Sequence, residues 1–117
     1  MMKENENITM SGAELIEALK EIELILISLH KMGSYYGELF INDENKHRSD
    51  YEKETTRFID EWLVTRRLAK IRRILSEKFN DTLGDDDMDD LERAMEGLKY
   101  WEKPGDKAED NSESLSE

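Results

Sequence analysis

With 117 residues, 29 acidic side chains against 17 basic ones and a net charge of −12, this is a small, strongly anionic chain with room for one core. It has no cysteine, six glycines and one proline, which excludes a disulfide scaffold or thiolate metal site and leaves little turn punctuation for an all-β fold. Such a charge opposes nucleic-acid phosphates and anionic lipid heads, and it draws in cationic partners.

The opening residues Met1 to Asn7 are polar, and the apolar run behind them carries Glu14, Glu17, Lys20, Glu21 and Glu23. Neither a secretory signal nor a membrane span tolerates those charges, so a soluble cytoplasmic chain with a flexible N-terminus over 1–10 is expected. Ser11-Gly12-Ala13-Glu14 has the form of a capping box. Leu15, Leu19, Ile22, Leu26 and Leu29 follow at alternating steps of four and three, the spacing of a buried helical seam. Ile16, Leu24, Ile25 and Ile27 widen it, which suits a helix with neighbours on several faces. Gly33 can end this helix, or a kinked continuation can run on through Tyr35, Tyr36, Leu39, Phe40 and Ile41.

The segment 42–46 reads as a polar loop, and Ser49-Asp50-Tyr51-Glu52 repeats the capping-box pattern ahead of a helical stretch to about Phe79. Tyr51, Thr55, Phe58 and Trp62 form one stripe, while Val64, Leu68, Ile71 and Leu75 form a second that lags by about a third of a turn. One helix with a rotating face and two helices broken near Val64-Thr65 both fit this. After a turn over 80–84, Met88, Leu91, Met95 and Leu98 mark a third amphipathic segment, with Ala94 and Trp101 beside them and Lys103-Pro104-Gly105 as its stop. The fold expected is all-α: a single-domain bundle of three to four main helices over 11–103, followed by a disordered acidic tail over 104–117.

No catalytic constellation is visible. An EF-hand ending on Glu92 would place Leu83 at a ligand position and Asp86 where glycine is required. Glu44 and His47 have the spacing of half a di-iron site, but the other histidine, His30, has Ile27 where the matching glutamate belongs. There is no Gly-x-Ser-x-Gly elbow and no glycine-rich phosphate loop, and no arginine precedes His47 as a helical ribonuclease motif would require. The expectation is a protein that is not an enzyme, with no catalytic residue, metal or cofactor.

Two charge clusters remain. The stretch 66–73 holds five basic residues and no acidic one, and its first reading is an internal partner for the acidic stretch 85–92. A nucleic-acid contact is not expected, given the field of the whole chain. The acidic stretch has a sharper reading: Asp85, Asp86, Asp87, Asp89, Asp90 and Glu92 can stand in for phosphates in a cationic cleft, with Tyr100 and Trp101 as aromatic anchors.

A chain of about a hundred residues, helical, acidic, cysteine-free and without catalytic motifs resembles the cytosolic immunity proteins that bacteria pair with secreted toxins, including those of contact-dependent growth inhibition. The resemblance covers overall character from Ser11 to Trp101 and carries over no residue role. It implies a cognate basic protein, often a nuclease toxin, blocked in a stoichiometric complex. The alternative expectation is a helical adaptor or regulator, dimeric in one version, that uses the basic helix 66–73 on nucleic acid or protein.

Overall fold

The computed structural model describes residues 1–108, with the side chain of Glu44 outside the description; residues 109–117, most of the expected tail, also lie outside it. The all-α expectation holds: three α-helices and a short 3₁₀ turn, Lys3–Asn5, make up the regular structure of the described residues. No helix among them is long and apolar enough to cross a membrane. The chain divides into two compact units, Thr9–Lys78 and a second made of Met1–Ile8 with the residues from Phe79 onward.

The larger unit is a helical hairpin. Helix α1 (Gly12–Glu61) opens on the capping box read from the sequence. Ser11 Oγ accepts from the Glu14 amide at 3.1 Å, and Glu14 Oε1 accepts from the Ser11 amide at 3.4 Å. The helix runs on past Gly33, where an added Cβ would meet nothing within 4 Å, so this glycine is neither a stop nor a point of close approach. The break comes at Asp43, whose backbone is extended (φ −163°, ψ 92°). Asp43 Oδ1 then accepts from the Lys46 amide at 3.1 Å and starts the helix again. The expected loop over 42–46 is therefore a one-residue interruption between two arms, 12–42 and 44–61. Ser49, expected to be the second cap, lies inside the second arm because Asp43 already supplies the carboxylate that the new first turn needs.

A second break separates α1 from α2 (Val64–Ser76), which settles the choice left open for this stretch. Leu63 sits in the left-handed region (φ 53°, ψ 45°) at the junction. Arg67 Nε donates to the Trp62 carbonyl at 2.8 Å, satisfying one of the orphan acceptors at the end of α1.

The contacts show an antiparallel return. The rings of Tyr36 and Phe40 meet Tyr51 near the tip, with centroids 5.4 and 5.8 Å away. Farther down, the Thr55 hydroxyl donates to Met32 Sδ at 3.4 Å, and Ile25 packs with Phe58 and Val64. Toward the open end, Glu21 pairs with Arg67 at 3.0 Å, Glu17 with Lys70 at 3.3 Å and Glu14 with Lys78 at 3.2 Å. The buried apolar residues here are Ala18, Ile25, Phe58, Val64, Ile71 and Ile74, one narrow stripe from each side.

The core is not where the 4-3 spacing places it. Leu15, Leu19, Ile22, Leu26 and Leu29 are 37–56% exposed, and Leu68 and Leu75 are 52% and 43% exposed. A single layer of two helices can bury only the stripes that face each other. Ala18, Ile25 and Met32 take that role, turned by roughly 80° from the leucine seam at 100° per residue. Trp62, grouped with Phe58 by spacing, is exposed at the junction, while Ile74 is buried in place of Leu75.

In the smaller unit the N-terminal residues, expected to be flexible, supply an ordered contact. Asn5 is buried, and its side chain donates to the Asn80 carbonyl at 3.0 Å while its Oδ1 accepts from the Asn80 amide at 2.8 Å. Helix α3 (Asp90–Met95) is only six residues long and stops well before Trp101. A helix this short gains little from propagation, and Gly97 just beyond its end weakens any continuation. At 104–106 the chain turns, with Asp106 Oδ2 accepting from the amides of Glu102 and Lys103 at 2.9 and 3.1 Å.

Candidate functional site

Charge is divided unevenly between the two units. From Thr9 to Lys78 there are thirteen acidic and twelve basic residues, a net of −1; the rest of the chain holds sixteen acidic and five basic residues, a net of −11. The anionic character of the protein thus belongs to the smaller unit, whose acidic stretch supplies the residues singled out from the sequence.

Those carboxylates do two different jobs, and Arg93 sorts them. Its guanidinium holds Asp86 through two bonds, Nε to Oδ2 at 2.8 Å and Nη2 to Oδ1 at 2.7 Å. It also donates to Asp90 Oδ1 at 2.9 Å and to the Met88 carbonyl at 3.0 Å. The bidentate pair, desolvation opposing it, holds the Asp86 carboxyl down at about 2. Asp90 is buried and bonded on both oxygens, its Oδ2 accepting from Asn5 Nδ2 and the Met2 amide, each at 2.7 Å. The Asn5 bond, then the Met2 amide, keeps Asp90 below the usual carboxylate range.

Asp89 and Glu92 form a capping box on α3: Asp89 Oδ1 accepts from the Glu92 amide at 2.7 Å, and Glu92 Oε1 from the Asp89 amide at 3.2 Å. Both, like Asp86 and Asp90, are committed to the fold. Asp85 and Asp87 are not; they are exposed on the turn closed by the Gly84 amide donating to the Met88 carbonyl at 2.8 Å and the Asp87 amide to the Gly84 carbonyl at 3.1 Å, and their side chains make no hydrogen bond or ion pair among the described residues. Asp87 holds a left-handed backbone (φ 60°) at this turn. A Cβ on Gly84 would lie 2.8 Å from Arg93 Nη2 and 3.2 Å from Asp86 Oδ1, so this glycine leaves room for the ion pair.

Tyr100 and Trp101 lie beyond α3 and are 68% and 67% exposed. No hydrogen bond, ion pair or ring contact among the described residues joins either to the carboxylates. The structure therefore brings together Asp86, Asp89, Asp90 and Glu92 around the start of α3 and leaves Asp85, Asp87, Tyr100 and Trp101 facing solvent. Sequence reasoning missed Arg93 and Asn5. An arginine three residues after Asp90 is a visible signal, whereas a contact spanning 85 residues leaves no local trace.

The basic stretch 66–73 is answered within the hairpin, from the first arm and from Glu77. Arg67 and Lys70 reach Glu21 and Glu17 on the first arm, and Arg73 pairs with Glu77 at 3.8 Å. The expected partner at 85–92 is instead bonded to Arg93. The Arg67 bond holds the Glu21 carboxyl below its ordinary value. Among the described residues no group of three or more His, Asp or Glu side chains is placed to hold a metal ion. Comparison with protein-family models, curated proteins and solved structures finds no match.

Proposed function

We propose that this protein acts by stoichiometric association: it is an inhibitor of the immunity type that covers the cationic face of a cognate basic protein, a nuclease toxin, with its acidic unit. The observation that carries this reading is the concentration of charge, net −11 outside the hairpin, on a unit whose turn offers the Asp85 and Asp87 carboxylates without a hydrogen bond or ion pair among the described residues. Carboxylates held on a turn that is fixed by Arg93 lose little freedom on binding, which favours affinity. Exposed aromatics such as Tyr100 and Trp101 are the residue types that carry binding energy once desolvated.

The adaptor reading gains less support. Arg67 and Lys70 are already paired with carboxylates of the same chain, which leaves Arg66 and Arg72 as the exposed cations on this helix without an ion pair among the described residues. Titration against a panel of basic nucleases, with poly-lysine as the control for bare charge attraction, tests the proposal. Saturable one-to-one binding that inhibits one nuclease supports it. Binding to poly-lysine and nucleases alike, without inhibition, counts against it.

A further inference from the structure

The hairpin leaves one of its sides apolar and uncovered. On the first arm, Leu15, Leu19, Ile22, Leu26 and Leu29 are turned by roughly 80° from the stripe that meets the returning helices. On the return, Leu68 and Leu75 are offset from Val64, Ile71 and Ile74 by roughly 60°, and Ile59 from Phe58 by about 100°, all in the same rotational sense. Equal senses on antiparallel helices place both sets on the same side of the layer. The register fixed by Glu14–Lys78 and by Ile25 with Phe58 sets Leu75 near the Leu15 end and Ile59 near the Leu29 end. All eight side chains are 37–56% exposed.

We infer that this face is the interface with a second copy of the chain, two hairpins packing into a four-helix arrangement. Three observations select that occupant. The first is area: eight half-exposed leucine and isoleucine side chains present on the order of 700 Å² of apolar surface, close to the roughly 800 Å² per partner of a stable interface and above what monomers commonly leave open. The second is charge. With thirteen acidic and twelve basic residues the hairpin is itself nearly neutral, so its apolar face adds little like-charge repulsion of its own, and a strongly charged partner finds no local field there to follow. The third is the pattern itself. Steps of four and three along Leu15–Leu29 are the spacing by which helices interdigitate with other helices, and a two-fold axis lets one such face serve both partners.

This surface is distinct from the acidic turn, and the inference does not depend on the inhibitor reading. Sedimentation equilibrium of the full chain from 1 to 200 μM tests it, with the L19E/L26E pair as the disrupting variant. Ile16→Glu is the control; Ile16 is 55% exposed but lies about half a turn from the buried stripe, on the opposite side. The wild type and I16E should be dimeric with unchanged helical dichroism. L19E/L26E should be a helical monomer, its dissociation constant raised by at least about a hundredfold. If L19E/L26E loses helix, the milder L19Q/L26Q pair replaces it, read by the shift in the dilution midpoint. A wild type that stays monomeric at 200 μM overturns the inference, as does a dimer that either leucine pair leaves intact while I16E dissociates it.

Discussion

Asn5 Nδ2 donates to Asp90 Oδ2 at 2.7 Å across 85 residues of chain, with both side chains buried. The same asparagine clasps both backbone groups of Asn80, so a residue in an N-terminal turn organises the start of α3. Asn5→Ala removes one of the three bonds to the buried Asp90 carboxylate and takes the acceptor from the half-buried Asn80 amide, a loss on the order of 1–3 kcal/mol to the smaller unit. Hydrogen exchange at the Asn80 amide reads it directly: protection should fall by about tenfold to a hundredfold, while amides of the hairpin core keep theirs.

In the smaller unit, acid should act through Arg93's partners. Asp86 and Asp90 have carboxyls held below the ordinary value of 3.8, Asp86 by Arg93 and Asp90 chiefly by Asn5. A depressed folded-state value means that the stabilisation is complete above the unfolded value and is lost as pH falls through the folded one. Protection in the smaller unit should therefore hold above about pH 4 and decline toward pH 2. In a carbon-detected carboxyl titration, Arg93→Ala should move Asp86 up from about 2 toward 3.8.

The two candidate caps of the second arm should behave differently on substitution. Asp43→Ala removes the acceptor of the Lys46 amide and should cost about 0.5–2 kcal/mol in urea unfolding. Ser49→Ala lies within the helix and should change stability by less than about 0.5 kcal/mol. A larger effect at Ser49 than at Asp43 would place the break later in the chain than the backbone at Asp43 indicates.

Phe58 is 4% exposed and packs with Ile25 and Val64, so Phe58→Ala should destabilise the hairpin by about 3–5 kcal/mol. Thermal or urea unfolding followed at 222 nm checks this. A loss below about 1 kcal/mol would mean that the hairpin does not depend on this cluster.

Much of the fold was legible because its signals are local. The Ser11 box and the helical stretches follow from capping chemistry and spacing over a few residues, whereas the break before Val64 was one of two readings that the spacing allowed. The buried face was not legible, because periodicity shows which residues share a stripe and not which stripe meets a neighbour. Leu15–Leu29 keeps the more regular spacing, yet Ala18, Ile25 and Met32 do the internal packing. In the acidic stretch, composition marked a dense cluster but could not separate carboxylates that hold α3, such as Asp89 and Asp90, from those that are exposed without side-chain partners, Asp85 and Asp87. That separation depends on Arg93 and Asn5, and one of these is distant in sequence.

The separation also supplies the most direct test of the functional reading. D85N/D87N removes two carboxylates that hold no bond among the described residues, so dichroism and Asn80 protection should match the wild type. Quantitative affinity capture from the source cell, with wild type and D85N/D87N side by side, should recover a basic protein in one-to-one amount with the wild type. With the variant, recovery should drop by at least about tenfold, as expected when unpaired interface charges are lost. Equal recovery by both chains, or a captured partner with no excess of positive charge, would contradict the account.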